Sequence, residues 1–417
     1  MSGCGLGVGG RFKEVAGGRF FSYYWSLGCG GKPARLKQNR MRFDSDFSEL
    51  AARVRRFIEV FPTGTSGGFD RLALELFALQ FRHNGPYRRF CEARGGLPER
   101  VRHWTEIPAM PASGFKELEL SCLPAAERTA VFHSSGTTAQ RSSRHFHNAE
   151  SLAIYEASLW AWFDGHFQAG AGIGHWAVLT PPAAQAPHSS LVHMFETIRG
   201  RVGFEETAFV ATADLSGGWT LDLARTAWII HEAVETGKPL ALLGTAFSFV
   251  QLLDDLAECE LEFRLPPGSR VLETGGYKGR SRALPKAELH GLITKRLGIP
   301  SSHIVCEYGM SELSSQAYDL TIARNPKCEC AGMPGSNDRV RRFRFPPWAR
   351  VQIASAETGL EASEGEAGLI RVFDLANVYS VMAIQAEDLA VRRGDGFELL
   401  GRAALAEPRG CSLMVAG

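Results

Sequence analysis

Four short apolar runs set the narrowest limits on the fold: "HWAVLT" (175–180), "PLALLGT" (239–245), "RVLETGG" (270–276) and "HIVCEYG" (303–309). Each has the length of a buried strand, and each stops at a glycine, a threonine or a similar turn residue. Helical segments lie between such runs, and "AESLAIYEASLWAWFDGHF" (149–167) is strongly helical. Strand, loop and helix in repetition predict an α/β domain with a mostly parallel sheet. Ligands in such sheets sit outside the carboxyl ends of the strands. Three glycine-bearing loops are predicted at such ends: 134–138, 274–280 and 308–312.

The flanks read differently. Phe47 to about Val60 and "FDRLALELFALQFRHNGPYRRFCEA" (69–93) repeat apolar residues at helical spacing, with Leu72, Leu74, Leu76, Phe77 and Phe81 as a predicted buried stripe. Between them, "GTSGG" (64–68) has the form of a G-x-S-x-G nucleophile elbow. That motif needs a strand before it, and here a helix-like segment and Pro62 precede it, so we assign a linker. "IPAMPASGFKELEL" (107–120) is a proline-punctuated extended run. From about Pro346, "WARVQIAS", "GLIRVFDL", "SVMAIQAEDLAV" and "FELLGRAAL" are short alternating segments separated by turns, the pattern of a small β subdomain. The expected organisation is a tail or over-extended start at 1–40, an α/β core at 41–345 and a β subdomain at 346–417. The first forty residues are glycine-rich, carry seven basic residues with Glu14 as their one acid, and lack the apolar core of a signal peptide.

Charge and cysteine usage narrow the function classes. Forty-six basic residues against 45 acidic ones give a formal net charge of +1, which offers no electrostatic case for nucleic acid or a membrane surface. No run reaches the roughly 18 apolar residues of a membrane span; "LALLGTAFSFVQLL" comes nearest. Nine scattered cysteines argue for a reduced, cytoplasmic setting rather than a secreted disulfide framework.

Three stretches carry chemistry. "VFHSSGTTAQRSSRHFH" (131–147) packs hydroxyls around Gly136. Read as a loop after a strand and before a helix, it can offer hydroxyls and backbone N–H groups to phosphate oxygens, although its composition equally suits a solvated loop. It is not a Walker A loop, because G-x-x-x-x-G-K-[ST] is absent. In "EYGMSELSSQAYD" (307–319), Tyr308 can stack on a purine, Ser311 can contact phosphate and Glu312 is a hard oxygen ligand for magnesium. The plain alternative is a strand end and a helix capped by Ser311. In "AEDLAV" and "GFELLGRA" (386–403), Asp388 can accept from ribose hydroxyls and Arg402 follows a β-turn; the plain alternative is a hairpin.

In that order and at those separations, the three stretches resemble the adenylate-forming superfamily of acyl-CoA synthetases, luciferases and peptide-synthetase adenylation domains. With "FALQFRHNGPYRRFC", "IPAMPASGFK", "LLGTAF", "LETGGYKGRSR" and "RGCSL", the chain is similar over residues 45–417 to the LuxE-type acyl-protein synthetases. The resemblance implies an α/β fold layered like the N-terminal domain of adenylate-forming enzymes. It implies ATP and Mg2+ as cofactors, a fatty or related carboxylic acid as substrate, and an acyl-CoA reductase-like protein as partner. By the same resemblance Ser134, Ser135, Gly136, Thr137 and Thr138 form the ATP phosphate loop, and Gly275 and Gly276 lie against the nucleotide. Tyr308 stacks on adenine, Ser311 and Glu312 meet phosphate and magnesium, Asp388 binds ribose, and Arg402 sits near ribose and phosphate. Cys411, in "EPRGCSLMVAG", matches the cysteine that takes the acyl group; Arg409 nearby favours its thiolate.

The chain also departs from the pattern. The phosphate loop usually continues with glycine and lysine, whereas Ala139, Gln140 and Arg141 follow here, which leaves Arg141 or Arg144 as substitutes. The superfamily's lid domain, with its catalytic lysine, is expected to be absent, since only fifteen residues (403–417) follow Arg402. Lys278 or Arg280 is the expected replacement cation. Two further readings stand beside the main one, a CoA ligase of the phenylacetate type and a non-catalytic scaffold homologue. "PPAAQAPHSSLVHMF" (181–195) is a candidate lining of the acyl pocket. A zinc site built from "KCEC" (327–330), Cys306 and His303 lacks the usual knuckle spacing, and "HFH" (145–147) with His133 is read as polar contacts rather than a metal site.

Overall fold

The four apolar runs are strands, and they lie side by side. The computed structural model describes residues 33–60, 68–134, 141–168, 172–214, 218–276, 282–319 and 341–403, with side chains from Asp46 onward. Residues 45–417 form one compact unit and residues 1–44 another. In chain order the first elements are α1 (Pro33–Glu59), α2 (Phe69–His83), α3 (Gly85–Ala93), β1 (Met110–Pro111), α4 (Gly114–Glu117), β2 (Ala130–His133), β3 (Arg144–His147) and α5 (Ala149–Phe163). Then come β4 (His175–Val178), α6 (Ser190–Val202), β5 (Ala211–Ala213), β6 (Trp219–Leu221), α7 (Leu223–Thr236), β7 (Leu240–Thr245), α8 (Ala246–Glu258), β8 (Arg270–Thr274) and α9 (Lys286–Leu297). Strands β9 (Ile304–Tyr308), β10 (Ala317–Tyr318), β11 (Ala349–Ala354), β12 (Ala367–Asp374), β13 (Ala383–Arg393) and β14 (Gly396–Arg402) complete the series.

Strands β4, β7, β8 and β9 pair in parallel in that order, and β10 adds an antiparallel edge. Every residue of β7, β8 and β9 is buried, as expected of parallel strands covered on both faces. Helix α8 leaves β7 through a reciprocal cap, in which the Thr245 hydroxyl accepts from the Ser248 amide and Ser248 Oγ accepts from the Thr245 amide. Its Phe249, Val250, Leu253 and Leu256 pack with Leu289 and Ile293 of α9 over Leu240, Leu242, Val271 and Ile304. Fully burying each such side chain is worth about 1.5–3 kcal/mol.

The C-terminal segments form a second sheet. Strands β11, β12 and β13 are antiparallel, β14 pairs with one end of β13, and β1 pairs with the other end in parallel, Met110 opposite Ile384. The sheet thus borrows a strand from the proline-punctuated run far upstream. Two backbone bridges link the sheets: Phe343 exchanges hydrogen bonds with Phe397 of β14, and Arg344 with Tyr318 of β10. Gly396 is required there, because a Cβ would stand 2.6 Å from the Phe343 carbonyl oxygen.

Three expectations change. The periodic stretch 69–93 is two helices, broken at Asn84, whose side chain accepts from the Tyr87 amide; Pro86 in the first turn cannot continue α2. The buried stripe of α2 runs through Phe69, Leu72, Ala73, Leu76, Phe77 and Gln80, while Leu74 and Phe81 are half-buried. Gln80 belongs inside because its amide donates to the Asn377 and Val378 carbonyls and accepts from the Met382 amide. The loop after β2 does not lead to a helix at the end of a parallel strand. It turns back into β3 and closes a two-stranded antiparallel hairpin, with α5 following. Of "GTSGG", only Gly68 lies within the described residues. No described helix is long and apolar enough to cross a membrane.

The π-turn after α5 (Asp164–Gln168) seals the core with an uncharged imidazole. His166 is buried against Trp162 and Tyr318, and its Nδ1 donates to the Trp162 carbonyl at 2.9 Å. Burial pushes its pKa from 6.5 down to about 4. In that window the unfolded chain holds the extra proton, so this stabilisation is complete above 6.5 and is lost as pH falls towards 4. His166→Gln is therefore expected to flatten the dependence of urea stability on pH between 4 and 6.5 by close to one proton, about 1.4 kcal/mol per pH unit. Identical slopes in variant and wild type would refute the assignment.

Candidate active site

The carboxyl end of β9 meets the β13–β14 hairpin, and three of the residues singled out from sequence converge there. Tyr308 is buried, with Phe397, Phe343 and Phe345 edge-on to its ring at centroid distances of 5.6, 6.1 and 6.2 Å. Its hydroxyl donates to Asp388 Oδ2 at 3.0 Å. Asp388 and Arg402 are directly opposed across β13 and β14, with Arg402 Nε 3.7 Å from Asp388 Oδ1. Arg402 Nη2 donates to Glu387 Oε2. The register shifts at Leu389 and Ala390, and Gly401 takes φ +119° just before the arginine. Such bulges re-aim side chains. The Nε and Nη1 groups of Arg402 are buried without a hydrogen-bond partner among the described residues. Buried donors are ordinarily satisfied, and leaving one bare costs about 1–3 kcal/mol, so this spot suits an oxygen-rich ligand. The plain hairpin is present, and it presents Asp388 and Arg402 together.

No helix follows Tyr308. Residues 309–316 turn back into β10, which removes the alternative of Ser311 as a helix cap. A Cβ at Gly309 would lie 2.2 Å from Glu307 Oε1, so a larger residue in this turn would displace that carboxyl. Glu312 is fully buried, with Oε2 accepting from Ser311 Oγ at 3.2 Å and its carbonyl accepting from Asn377 Nδ2 at 2.8 Å. A buried carboxylate oxygen of this kind fits a hard divalent cation such as Mg2+.

The β2–β3 hairpin is fastened to this turn. The Ser143 amide donates to Ser134 Oγ at 2.9 Å, closing the hairpin's neck, and Ser143 Oγ lies 3.4 Å from Ser311 Oγ. His145 Nδ1 is 2.9 Å from the Ser311 carbonyl; a carbonyl only accepts, so the imidazole donates. Burial holds the His145 pKa down at about 4. Ser135, Gly136, Thr137 and Thr138 lie outside the described residues, as do Lys278, Arg280, Cys411 and "KCEC". Arg141 and Arg144 turn to Glu117 and Glu119, each pair 3.5 Å apart. Residues 181–195 pack on the hairpin, where the His133 amide donates to the His188 carbonyl and Phe132 lies 5.2 Å from His193.

Gly275 and Gly276 leave β8 beside β9, Gly276 with φ +102°. One residue earlier, Thr274 Oγ1 donates to Glu307 Oε2 at 2.5 Å. Burial raises the Glu307 pKa to about 7, against the opposing effect of that hydroxyl. On the opposite face of these strands Cys306 meets Glu273 and His290, not His303. His303 ends the short 3-10 turn that precedes β9, with its Nδ1 3.2 Å from Ser302 Oγ.

Asp374 anchors the whole turn, and nothing in its local sequence announces it. It is fully buried at the end of β12. Its carboxyl accepts from the Ser314 amide (2.9 Å), Ser315 Oγ (2.7 Å) and the Ala376 amide (2.9 Å). Burial raises its pKa to about 6, the donated bonds opposing. Asp374→Ala leaves these donors bare and is expected to cost about 2–4 kcal/mol. Denaturant midpoints at pH 7 check this; a loss below about 0.5 kcal/mol would show that the anchor is dispensable.

Comparison with known proteins agrees with this arrangement. The model of the family described as acyl-protein synthetase, LuxE, matches residues 65–417. The long-chain-fatty-acid–luciferin-component ligases of Aliivibrio fischeri and Vibrio harveyi are 21% and 22% identical over 359 residues, which cover 83% and 82% of this chain and 87% and 86% of theirs. The solved structure of 2-hydroxyisobutyryl-CoA ligase in its postadenylation state, in complex with 2-HIB-AMP, superimposes with a TM-score of 0.54 at 15% identity, covering 80% of this chain and 67% of that one. The same ligase in the thioesterification state gives 0.55 at 14% identity, over 82% and 70%. At such identity the likeness shows the fold, which is that of adenylate-forming ligases. The chain belongs to the LuxE acyl-protein synthetase family, whose members are ligases that activate an acyl group.

Proposed function

We propose that the protein uses ATP and Mg2+ to activate a long-chain fatty, or chemically related, carboxylate as acyl-AMP, and then carries the acyl group on Cys411 as a thioester for delivery to an acyl reductase. The observation that carries the nucleotide part is the Tyr308–Asp388–Arg402 cluster, an aromatic, a carboxylate and a guanidinium whose Nη1 has no acceptor among the described residues, at one strand end. In this reading the Tyr308 ring meets adenine, Asp388 accepts from ribose hydroxyls, and Arg402 donates to ribose and phosphate oxygens. Ser134 to Thr138 cradle the phosphates across from Ser311, and Gly275 and Gly276 let the backbone approach the nucleotide. The neighbouring ligase structures, one in complex with 2-HIB-AMP and the other with 2-HIB-AMP and CoA, support an adenylate as intermediate.

The chemistry balances in two steps. A carboxylate oxygen attacks the α-phosphorus, and the bond to pyrophosphate breaks. The Cys411 thiolate then attacks the acyl carbonyl, and AMP leaves with the electron pair of the acyl–oxygen bond. The first step brings two anions together, so cationic groups must offset the developing charge. Lys278 is our assignment for that role, with Arg280 second. Glu312 would hold Mg2+ against the nucleotide, and the ion would neutralise phosphate charge. A reducing, cytoplasmic setting suits a thioester carrier, and the described Cys91, Cys122, Cys259 and Cys306 are all free thiols.

ATP–pyrophosphate exchange with a panel of carboxylates is the direct test, and failure with every acid would leave the scaffold alternative. Arg402→Lys keeps the charge but loses the planar fork, and is expected to raise the KM for ATP by about tenfold. Lys278→Ala is expected to slow exchange by about 100-fold or more; full activity would remove lysine from the chemistry. Cys411→Ser is expected to keep exchange while abolishing covalent acyl-protein. If that variant instead forms acyl-CoA when CoA is added, the phenylacetate type of CoA ligase is the better description.

A further inference from the structure

Adjacent strands carry two chemistries on their two faces. Thr274 and Glu307 are paired across β8 and β9 on one face, and Glu273 and Cys306 are paired on the other. There, His290 of α9 completes a trio that is buried throughout, with Glu273, His290 and Cys306 at most 5% exposed. Cys306 Sγ lies 2.9 Å from Glu273 Oε2 and 3.7 Å from His290 Nε2, and the two nitrogen and oxygen atoms are 3.4 Å apart. A tetrahedral zinc with bonds of about 2.0–2.3 Å spaces its ligand atoms by roughly 3.3–3.8 Å. The two spacings to His290 Nε2 fall in that range, whereas the 2.9 Å between Cys306 Sγ and Glu273 Oε2 is a thiol–carboxylate hydrogen bond that has to open as an ion replaces the thiol proton. The same ring nitrogen faces both the thiol and the carboxylate. A Cys–His–acid relay would use the two ring nitrogens separately, so these atoms converge on a point rather than form a chain.

Two further observations favour an ion at that point. Glu273 Oε1 is buried without a hydrogen-bond partner among the described residues, so the carboxylate has a second oxygen to offer as fourth donor beside Oε2, Nε2 and Sγ. Lys286 Nζ stands 3.7 Å from Glu273 Oε2, and Arg341 Nη1 stands 3.8 Å from Cys306 Sγ. Outer donors of this kind hold metal-bound thiolates and carboxylates in place. We propose that Glu273, His290 and Cys306 form a structural zinc site that pins α9 to β8 and β9. The thiol proton is released to solvent as the sulfur–zinc bond forms, and the mixed sulfur, nitrogen and oxygen donor set selects Zn2+ over Mg2+ or Ca2+. The site stands independently of the adenylation reading.

The test uses the full chain, expressed with zinc and purified without chelator. About one zinc per chain is expected by elemental analysis. Cobalt(II) exchanged into the protein should show a thiolate-to-cobalt charge-transfer band. Cys306→Ala and His290→Ala should each lower the zinc content at least about fivefold and remove that band. One full equivalent of zinc retained by both variants would place the ion at other cysteines and overturn the proposal. Should the variants fail to fold, wild type decides: a chelator must lower the melting temperature, and added Zn2+, but not Mg2+, must restore it. Wild type that holds no zinc and melts alike with and without Zn2+ would leave Glu273 as a simple acceptor for the thiol, imidazole and ammonium, and the proposal would fail.

Discussion

The buried carboxyl of Asp374 is the interaction on which the site depends. It ends β12 in the C-terminal sheet, yet its bonds go to Ser314 and Ser315, which follow the central strand β9. The connection continues outward, since Ser315 Oγ also meets Ser158 of α5, and Trp348 Nε1 donates to that same serine. Asn377, three residues after Asp374, holds the Glu312 and Val381 carbonyls with one amide group. Burying a carboxyl is costly, and its raised pKa records that cost. The cost is offset because one group orders two sheets and the turn between them. A purely apolar contact could not fix the turn's direction, since apolar packing does not specify which backbone amide points where.

Strand alternation then sorts chemistry by face. Cys306, Glu307 and Tyr308 are consecutive, but successive side chains in a strand point to opposite sides. Glu307 meets Thr274 and Gly309 on one face, while Cys306 meets Glu273 and His290 on the other. At the strand end Tyr308 reaches Asp388, eighty residues away in sequence. One strand thereby joins the Tyr308–Asp388 contact to the Cys306 trio, two positions apart on one face. A shift in α9 behind the sheet would be felt at Glu273 and Thr274, neighbours in β8, and so at the glycines that follow.

How legible this was depended on whether the cause was local. β4, β7, β8 and β9 are readable because a strand covered on both faces is mostly apolar, with the polar Glu273, Thr274 and Glu307 confined to the carboxyl ends of β8 and β9. The Asn84–Gly85–Pro86 break could have been read from its turn chemistry, but the apolar period runs across it and masked it. β1 could not be found, since Met110 and Pro111 form a strand only because β13 offers them an edge. The hairpin after β2 was mistaken for a strand-to-helix turn because "RHFH" is short and half-polar, and its strand character comes from pairing with "AVFH". Gln80 was passed over because a buried amide is excused only by partners some 300 residues away. Within the site, Tyr308, Asp388 and Arg402 were visible as separate motifs. Their meeting required the β13–β14 bulge and the Phe343–Phe397 bridge. Asp374 and Glu307 carry no local signal, because their roles exist only across strands.

The Arg402 guanidinium shows how such a site stays ready. Its Nη2 is anchored on Glu387 and its Nε is drawn towards Asp388, which fixes the plane of the group. Its Nη1 is nevertheless buried without an acceptor among the described residues. A bare buried donor costs about 1–3 kcal/mol. A ligand that brings oxygen acceptors recovers that energy on arrival and meets donors that need no rearrangement. In the proposed adenylation, ribose and phosphate oxygens are the acceptors that this guanidinium would meet.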